Sequence, residues 1–176
     1  MEIANQQAEE KKLNAEYLVM DCEKMTFQDN TFDMVLDFGT FSSLNMEIAI
    51  KELSRVMKKD GIMICIETYG HNPFMKIKRI ISVLTGRRTK WAANHIMKKR
   101  SWNMIGNQFE SCTIHYFHFL VLILPIFLKI VPKSLGDKIL SVVEKIDKAI
   151  LKIRIFQFLA FKTVVVVSCP VEKKNY

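Results

Sequence analysis

Residues 32–66 read FDMVLDFGTFSSLNMEIAIKELSRVMKKDGIMICI, and their order decides the fold class. Phe32-Asp33-Met34-Val35-Leu36 is an apolar run with strand preference that finishes on a carboxylate, Asp37. From Met46 to Lys58 the apolar positions Ala49, Leu53, Val56 and Met57 recur at helical spacing, and Glu47–Lys51 and Glu52–Arg55 add opposite-charge pairs along the helix surface. Lys58-Lys59-Asp60-Gly61 is expected to close that helix, with basic residues at the negative end of the dipole and a glycine for a left-handed turn. Ile62 to Ile66 is continuously apolar, as in a parallel strand covered on both faces. Strand, helix, strand in that order implies an α/β domain.

Upstream, residues 2–13 mix helix formers with Ile3, Ala4, Ala8 and Leu13 and predict a short exposed helix. Glu16 to Met20 (EYLVM) predicts a second strand, followed by Asp21, Cys22 and Glu23, so two strands are expected to end next to a carboxylate. Residues 24–31 are turn-rich. Downstream, Tyr69 to Pro73 is loop chemistry, and residues 74–100 carry a dense basic set of Lys76, Lys78, Arg79, Arg87, Arg88, Lys90, Lys98, Lys99 and Arg100. Ser101 to Gln108 predicts a helix, Glu110 to Phe119 a strand, residues 134–153 an amphipathic basic helix, and Phe161 to Ser168 a last strand. The economical organisation is one domain over 1–170, with a helical insert at about 121–160, and a tail at 171–176.

The chain has 176 residues, 49% of them hydrophobic, and 26 Lys+Arg against 18 Asp+Glu give a net charge of +8. That composition excludes a disordered or collagen-like chain. Four cysteines without a CxxC pair indicate neither a zinc site nor a disulfide framework, so no metal is expected and reduced thiols fit a cytoplasmic location. The N-terminus lacks a signal-peptide pattern. The longest apolar run, Phe119 to Leu128, contains Pro125 and falls short of the roughly 20 residues a spanning helix needs. It reads as a buried or interfacial segment, and with the basic helix it makes peripheral membrane contact the alternative location. His115 and His118, three apart on an expected strand, point to opposite faces and make a poor metal pair. The serine-hydrolase elbow, the phosphate-loop motif and the HExxH zinc motif do not occur. The basic stretch with Trp91 and Trp102 has no accompanying nucleic-acid module, and a nucleic-acid partner is not favoured.

The pieces MDCEKMTF, NTFDMVLD, KELSRVMKKDG and IMICIE, in that order and at those intervals, resemble the second half of a class I S-adenosylmethionine-dependent methyltransferase domain. Lys59 and Asp60 stand where the family usually has Pro and its first Gly. The resemblance implies a Rossmann-like sheet with a C-terminal antiparallel hairpin carrying the helical insert. It also implies S-adenosylmethionine as cofactor and a small-molecule acceptor, which the greasy insert suggests is apolar or lipid-like. Carried over residue by residue, it implies that Asp21 accepts from the adenine amine beside the backbone N–H of Cys22, and that Asp37 and Phe38 lie near the methionine part. Catalytic residues remain open; His71, His95 and Glu67 are candidates, with loop histidines and a capping or ion-paired glutamate as the plain alternatives. Turn or helix capping is the plain alternative for Asp21.

The six glycines (39, 61, 70, 86, 106 and 136) do not form the family's glycine-rich loop, and the acidic residue expected to hold the ribose is also missing. The chain is therefore expected to be N-terminally truncated, lacking the first two strands of the family's 3-2-1-4-5-7-6 sheet. The gap would be closed by re-pairing of strand 16–20 with strand 32–37, by looseness of that segment, or by a partner chain completing the sheet; the first two are favoured. The alternative to an enzyme is a catalytically inactive remnant, or a membrane- or partner-binding module.

Overall fold

The computed structural model describes residues 2–87, 89, 96–122, 124 and 132–170. Its elements are α1 (Glu2–Glu10), β1 (Phe32–Phe38), α2 (Met46–Val56), β2 (Met57–Thr68), α3 (Pro73–Leu84), α4 (Lys99–Gly106), β3 (Phe109–Phe117), α5 (Lys133–Lys152) and β4 (Lys162–Pro170). Short 3-10 turns lie at Phe41–Ser43, Leu120–Leu122 and Arg154–Leu159. One four-stranded sheet has the order β1-β2-β4-β3. β1 runs parallel to β2, while β4 is antiparallel to both β2 and β3. This order is the 4-5-7-6 portion of the Rossmann-like methyltransferase sheet, with α5 carried between the two strands of the C-terminal hairpin.

Alternation along the strands sorts the sheet into two faces. Met63, Cys65, Val165 and Val167 are fully buried and pack in one core with Phe41, Ala49 and Ile50 of the β1–α2 segment and Trp102 and Ile105 of α4. Leu36 pairs with Ile64 and Phe38 with Ile66 on the opposite face. There Met34, Leu36 and Phe38 are 60–67% exposed and Ile64 and Ile66 half-buried. The expectation that Ile62–Ile66 is covered on both faces is therefore corrected: the strand is buried on one face, and Ile62 is exposed on the other.

Two further expectations change. Glu16 to Met20 forms no strand and pairs neither with β1 nor with any other described element; Val19 is 86% exposed. A strand is stable only where a neighbour takes its N–H and C=O groups, and in the family's order this segment borders the two strands that the resemblance finds missing. The segment is loosely laid rather than re-paired. The turn expected at Lys58–Gly61 lies instead within a long β2. Phe32 pairs with Met57 but Met34 pairs with Ile62, so residues 58–61 bulge out of the ladder. Gly61 is needed there for space rather than for a left-handed φ, since a Cβ would sit 2.8 Å from the carbonyl oxygen of Lys58.

The insert is fastened by a buried carboxylate. Asp147 of α5 accepts from the backbone N–H groups of Phe119, Leu120 and Val121 at 2.9, 2.8 and 3.2 Å, tying the helix to the end of β3. His118 lies beyond β3 with φ of 62°, so the opposite-face argument for the histidine pair does not apply to it. Among the described residues no group of His, Cys, Asp and Glu could hold a metal ion, and no helix is long and apolar enough to cross a membrane. Part of the apolar run 119–128 and the tail 171–176 lie outside the described residues.

Candidate active site

The carboxyl ends of β1 and β2 adjoin, Phe38 pairing with Ile66. Asp37 is 7% exposed and its Oδ1 accepts from the backbone N–H of Thr40 at 3.2 Å and from the Thr40 hydroxyl. Its Oδ2 is buried and has no hydrogen-bond partner among the described residues. Burial pushes the carboxyl above its ordinary range, and the Thr40 hydrogen bonds oppose that rise in part. Phe38, the last residue of β1, is exposed, with the Lys162 ammonium 4.8 Å from its ring centre.

Glu67, next to last in β2 and on its buried face, accepts at Oε1 from the Phe41 N–H at 2.9 Å. The glutamate thus braces the turn after β1 against the end of β2. Beyond it, Gly70 donates to the Met97 carbonyl at 2.8 Å, an approach that leaves a Cβ only 2.9 Å from that oxygen. This contact sets residues 96–98 beside the β2 terminus. His71 follows, half-buried, its Nε2 accepting from the Lys99 N–H at 3.5 Å and its ring centre 5.1 Å from that of Tyr69. Burial, aided by Lys76, Lys98 and Lys99, lowers its pKa and holds the imidazole neutral near pH 7.

Asp21 is exposed and its Oδ1 accepts from the Glu23 N–H at 2.9 Å, an Asx turn. The segment after it is clamped to α2. Arg55 donates to the Phe27 and Met25 carbonyls at 2.8 and 3.1 Å and pairs with Asp29 and Glu52, both at 2.6 Å. Glu52 in turn accepts from the Met25 N–H at 2.8 Å, and Glu23 from the Asn45 N–H at 2.6 Å. In sequence, Glu52–Arg55 reads as a helical ion pair; in the fold it anchors the loop at residues 25–29 to α2.

That clamp brings Cys22 and Asp37 to one cavity of about 330 Å³, walled also by Phe27, Val35, Leu36 and Phe41. A second cavity, of about 660 Å³, lies between the β1–α2 turn and α4; Phe41, Leu44, Ile96 and Met104 give it apolar walls, and Lys98 and Arg100 stand there with a single carboxylate, Glu47. The structure therefore brings Cys22, Asp37 and the turn Thr40–Phe41 together, with Glu67 behind them and His71 near the start of α4. His95 lies outside the described residues. Thr40, Phe41 and the anchoring role of Arg55 carry no distinctive sequence signal; their importance follows from burial and pairing.

A family model described as a methyltransferase domain matches residues 1–65. The chain is 36% identical over 55 residues to a ubiquinone/menaquinone biosynthesis C-methyltransferase of Hydrogenovibrio crunogenus, covering 31% of this chain and 22% of that protein. It is 38% identical over 60 residues to a demethylmenaquinone methyltransferase of Staphylococcus haemolyticus, covering 33% and 25%. These matches thus span a quarter or less of the curated relatives' own length. Among solved structures, geranyl diphosphate C-methyltransferase from Streptomyces coelicolor, in complex with Mg2+, geranyl diphosphate and S-adenosyl-L-homocysteine, superposes with a TM-score of 0.54 at 15% identity, covering 97% of this chain and 60% of that one. Domain match, relatives and strand order agree: residues 1–65 are similar to a methyltransferase domain, and the sheet has the fold of the class I S-adenosylmethionine-dependent methyltransferases.

Proposed function

We propose that the chain forms the C-terminal portion of a methyltransferase that uses S-adenosylmethionine to methylate an apolar, lipid-like small molecule. The single observation that carries this reading is the meeting of Cys22 and Asp37 on one apolar-walled cavity at the carboxyl end of β1, where ligands of open α/β sheets bind. Phe27, Val35 and Phe41 suit a flat heterocycle, and Cys22 and Asp37 on the cavity wall, with their chain neighbours Asp21 and Phe38, are the residues that would hold the cofactor. The cofactor supplies an electrophilic methyl group on a sulfonium, and the protein's task is alignment and, where the acceptor carries a proton, its removal.

Asp37 offers a carboxyl whose Oδ1 is fixed by Thr40. Glu67, engaged with the Phe41 N–H, acts by positioning that turn. His71, neutral near pH 7, is the candidate to accept a proton, and His95 is the second candidate that the sequence offers. The acceptor class draws on the quinone methyltransferases among the relatives, on the geranyl diphosphate of the structural neighbour, and on the second cavity's apolar walls with Lys98 and Arg100. The proposed location is cytoplasmic with peripheral membrane contact.

A second reading, a catalytically inactive remnant or a module whose sheet a partner chain completes, is favoured by the outer edge of β1, which pairs with no described strand. Transfer of labelled methyl from S-adenosylmethionine to an organic-extractable quinol or prenyl acceptor separates the two. The enzyme reading expects label in the organic phase that falls at least tenfold in Asp37→Ala; no label above a protein-free blank with any acceptor supports the remnant.

A further inference from the structure

α3 presents an apolar stripe to solvent. Phe74, Ile77, Ile80, Ile81 and Leu84 are all 55–81% exposed. At helical spacing these five fall within an arc of about 120°. Lys76 and Lys78, both exposed, lie just beyond the two margins of that arc. The opposite side of the helix is the attached one. Arg79 is buried and donates to the Tyr69 carbonyl at 3.3 Å, and Asn72 caps the helix by accepting from the Met75 N–H at 3.2 Å while donating to the Leu159 carbonyl. The stripe is thus held facing outward by the fold.

The charge around it selects the occupant. Residues 68–109 contain nine Lys and Arg and no Asp or Glu, so this one stretch carries more positive charge than the whole chain's net +8. A second copy would bring the same charge against it. We propose that α3 docks on an anionic lipid bilayer, its stripe entering the headgroup boundary and Lys76 and Lys78 reaching the phosphates on either side. The proposal rests on the reading of the acceptor as lipid-like. α3 begins at Pro73, two residues after His71 and six after Glu67, so docking sets the mouth of the site against the layer in which such an acceptor dissolves.

The test is co-sedimentation of the full chain, without cofactor, with vesicles of equal parts phosphatidylglycerol and phosphatidylcholine, and with phosphatidylcholine alone. The chain is expected to pellet with the mixed vesicles and to bind the neutral ones at least tenfold more weakly. Two variants read the two components: Ile77→Asp with Ile81→Asp, and Lys76→Gln with Lys78→Gln. Each pair is expected to lose at least tenfold in affinity, each lysine contributing about fivefold. Circular dichroism should be unchanged in both; if the aspartate pair fails to fold, the glutamine pair decides. Failure of the chain to pellet with the mixed vesicles at low salt, or unchanged pelleting of a folded variant pair, overturns the proposal. So does a vesicle-free dimer that the aspartate pair dissociates, or retention of the chain on duplex DNA in preference to the vesicles. A chain that pellets as expected yet transfers no methyl keeps the docking and loses the enzyme reading, and the converse result separates them in the other direction.

Discussion

Asp37 is where residue chemistry and site meet. Its carboxyl is raised chiefly by burial, so the fold favours the protonated form. Its stabilising contribution is complete below the ordinary aspartate range and is lost as pH climbs through the raised value. Asp37→Asn keeps an acceptor for Thr40 and removes the buried charge. Thermal melts are expected to show the variant above the parent at pH 7 and the two converging below about pH 4. Asn72 works by geometry alone: fully buried, it caps α3 and reaches the Leu159 carbonyl. Asn72→Ala leaves both partners unsatisfied, and urea unfolding should register a loss of about 1–3 kcal/mol. Neither role is legible in sequence, where Asn72 is one letter of a loop. Asp37 is legible as a carboxylate at a strand end, while its burial comes with the turn at Thr40 and Phe41, which Glu67, 30 residues on, holds through the Phe41 N–H.

Elements with strong local patterns are the ones the sequence makes plain. α2, α5, β1 and β4 lie within a few residues of their expected bounds; in α2 and β4 the periodicity reflects the face they bury, whereas Val142 and Ile146 of α5 and Met34 and Leu36 of β1 are exposed. α3 escapes such a reading, since its apolar spacing is overlaid by basic residues and its apolar side faces solvent. The bulge at 58–61 is also illegible, because helix-closing chemistry and a strand bulge both use a glycine after polar residues. Gly61→Ala drives a Cβ into the Lys58 carbonyl. The expected cost is about 1–3 kcal/mol, read by the unfolding midpoint. For the loop at 25–29, held on α2 by Arg55 and Glu52, the expected result of Arg55→Ala is faster amide exchange at Met25 with little change in the strands, since Arg55 holds the Met25 and Phe27 carbonyls, Asp29 and the Glu52 carboxylate that accepts from the Met25 N–H. Unchanged exchange there would remove the anchor from this account.

At the scale of the molecule, strand order follows from the succession of motifs, and pairing does not. Glu16–Met20 has strand composition and no neighbour, so its local preference finds no ladder. The same circumstance leaves β1 with an open edge flanked by exposed Met34, Leu36 and Phe38. Such edges recruit other strands. Light scattering at rising concentration should show self-association that Leu36→Lys reduces. The central claim concerns the crevice beside that edge, where Cys22 and Asp37 share a cavity. Isothermal titration of the 176-residue chain with S-adenosylhomocysteine tests it most directly. Micromolar, one-to-one binding that is lost in Asp37→Ala is the expected result; no detectable heat from a folded chain would contradict it.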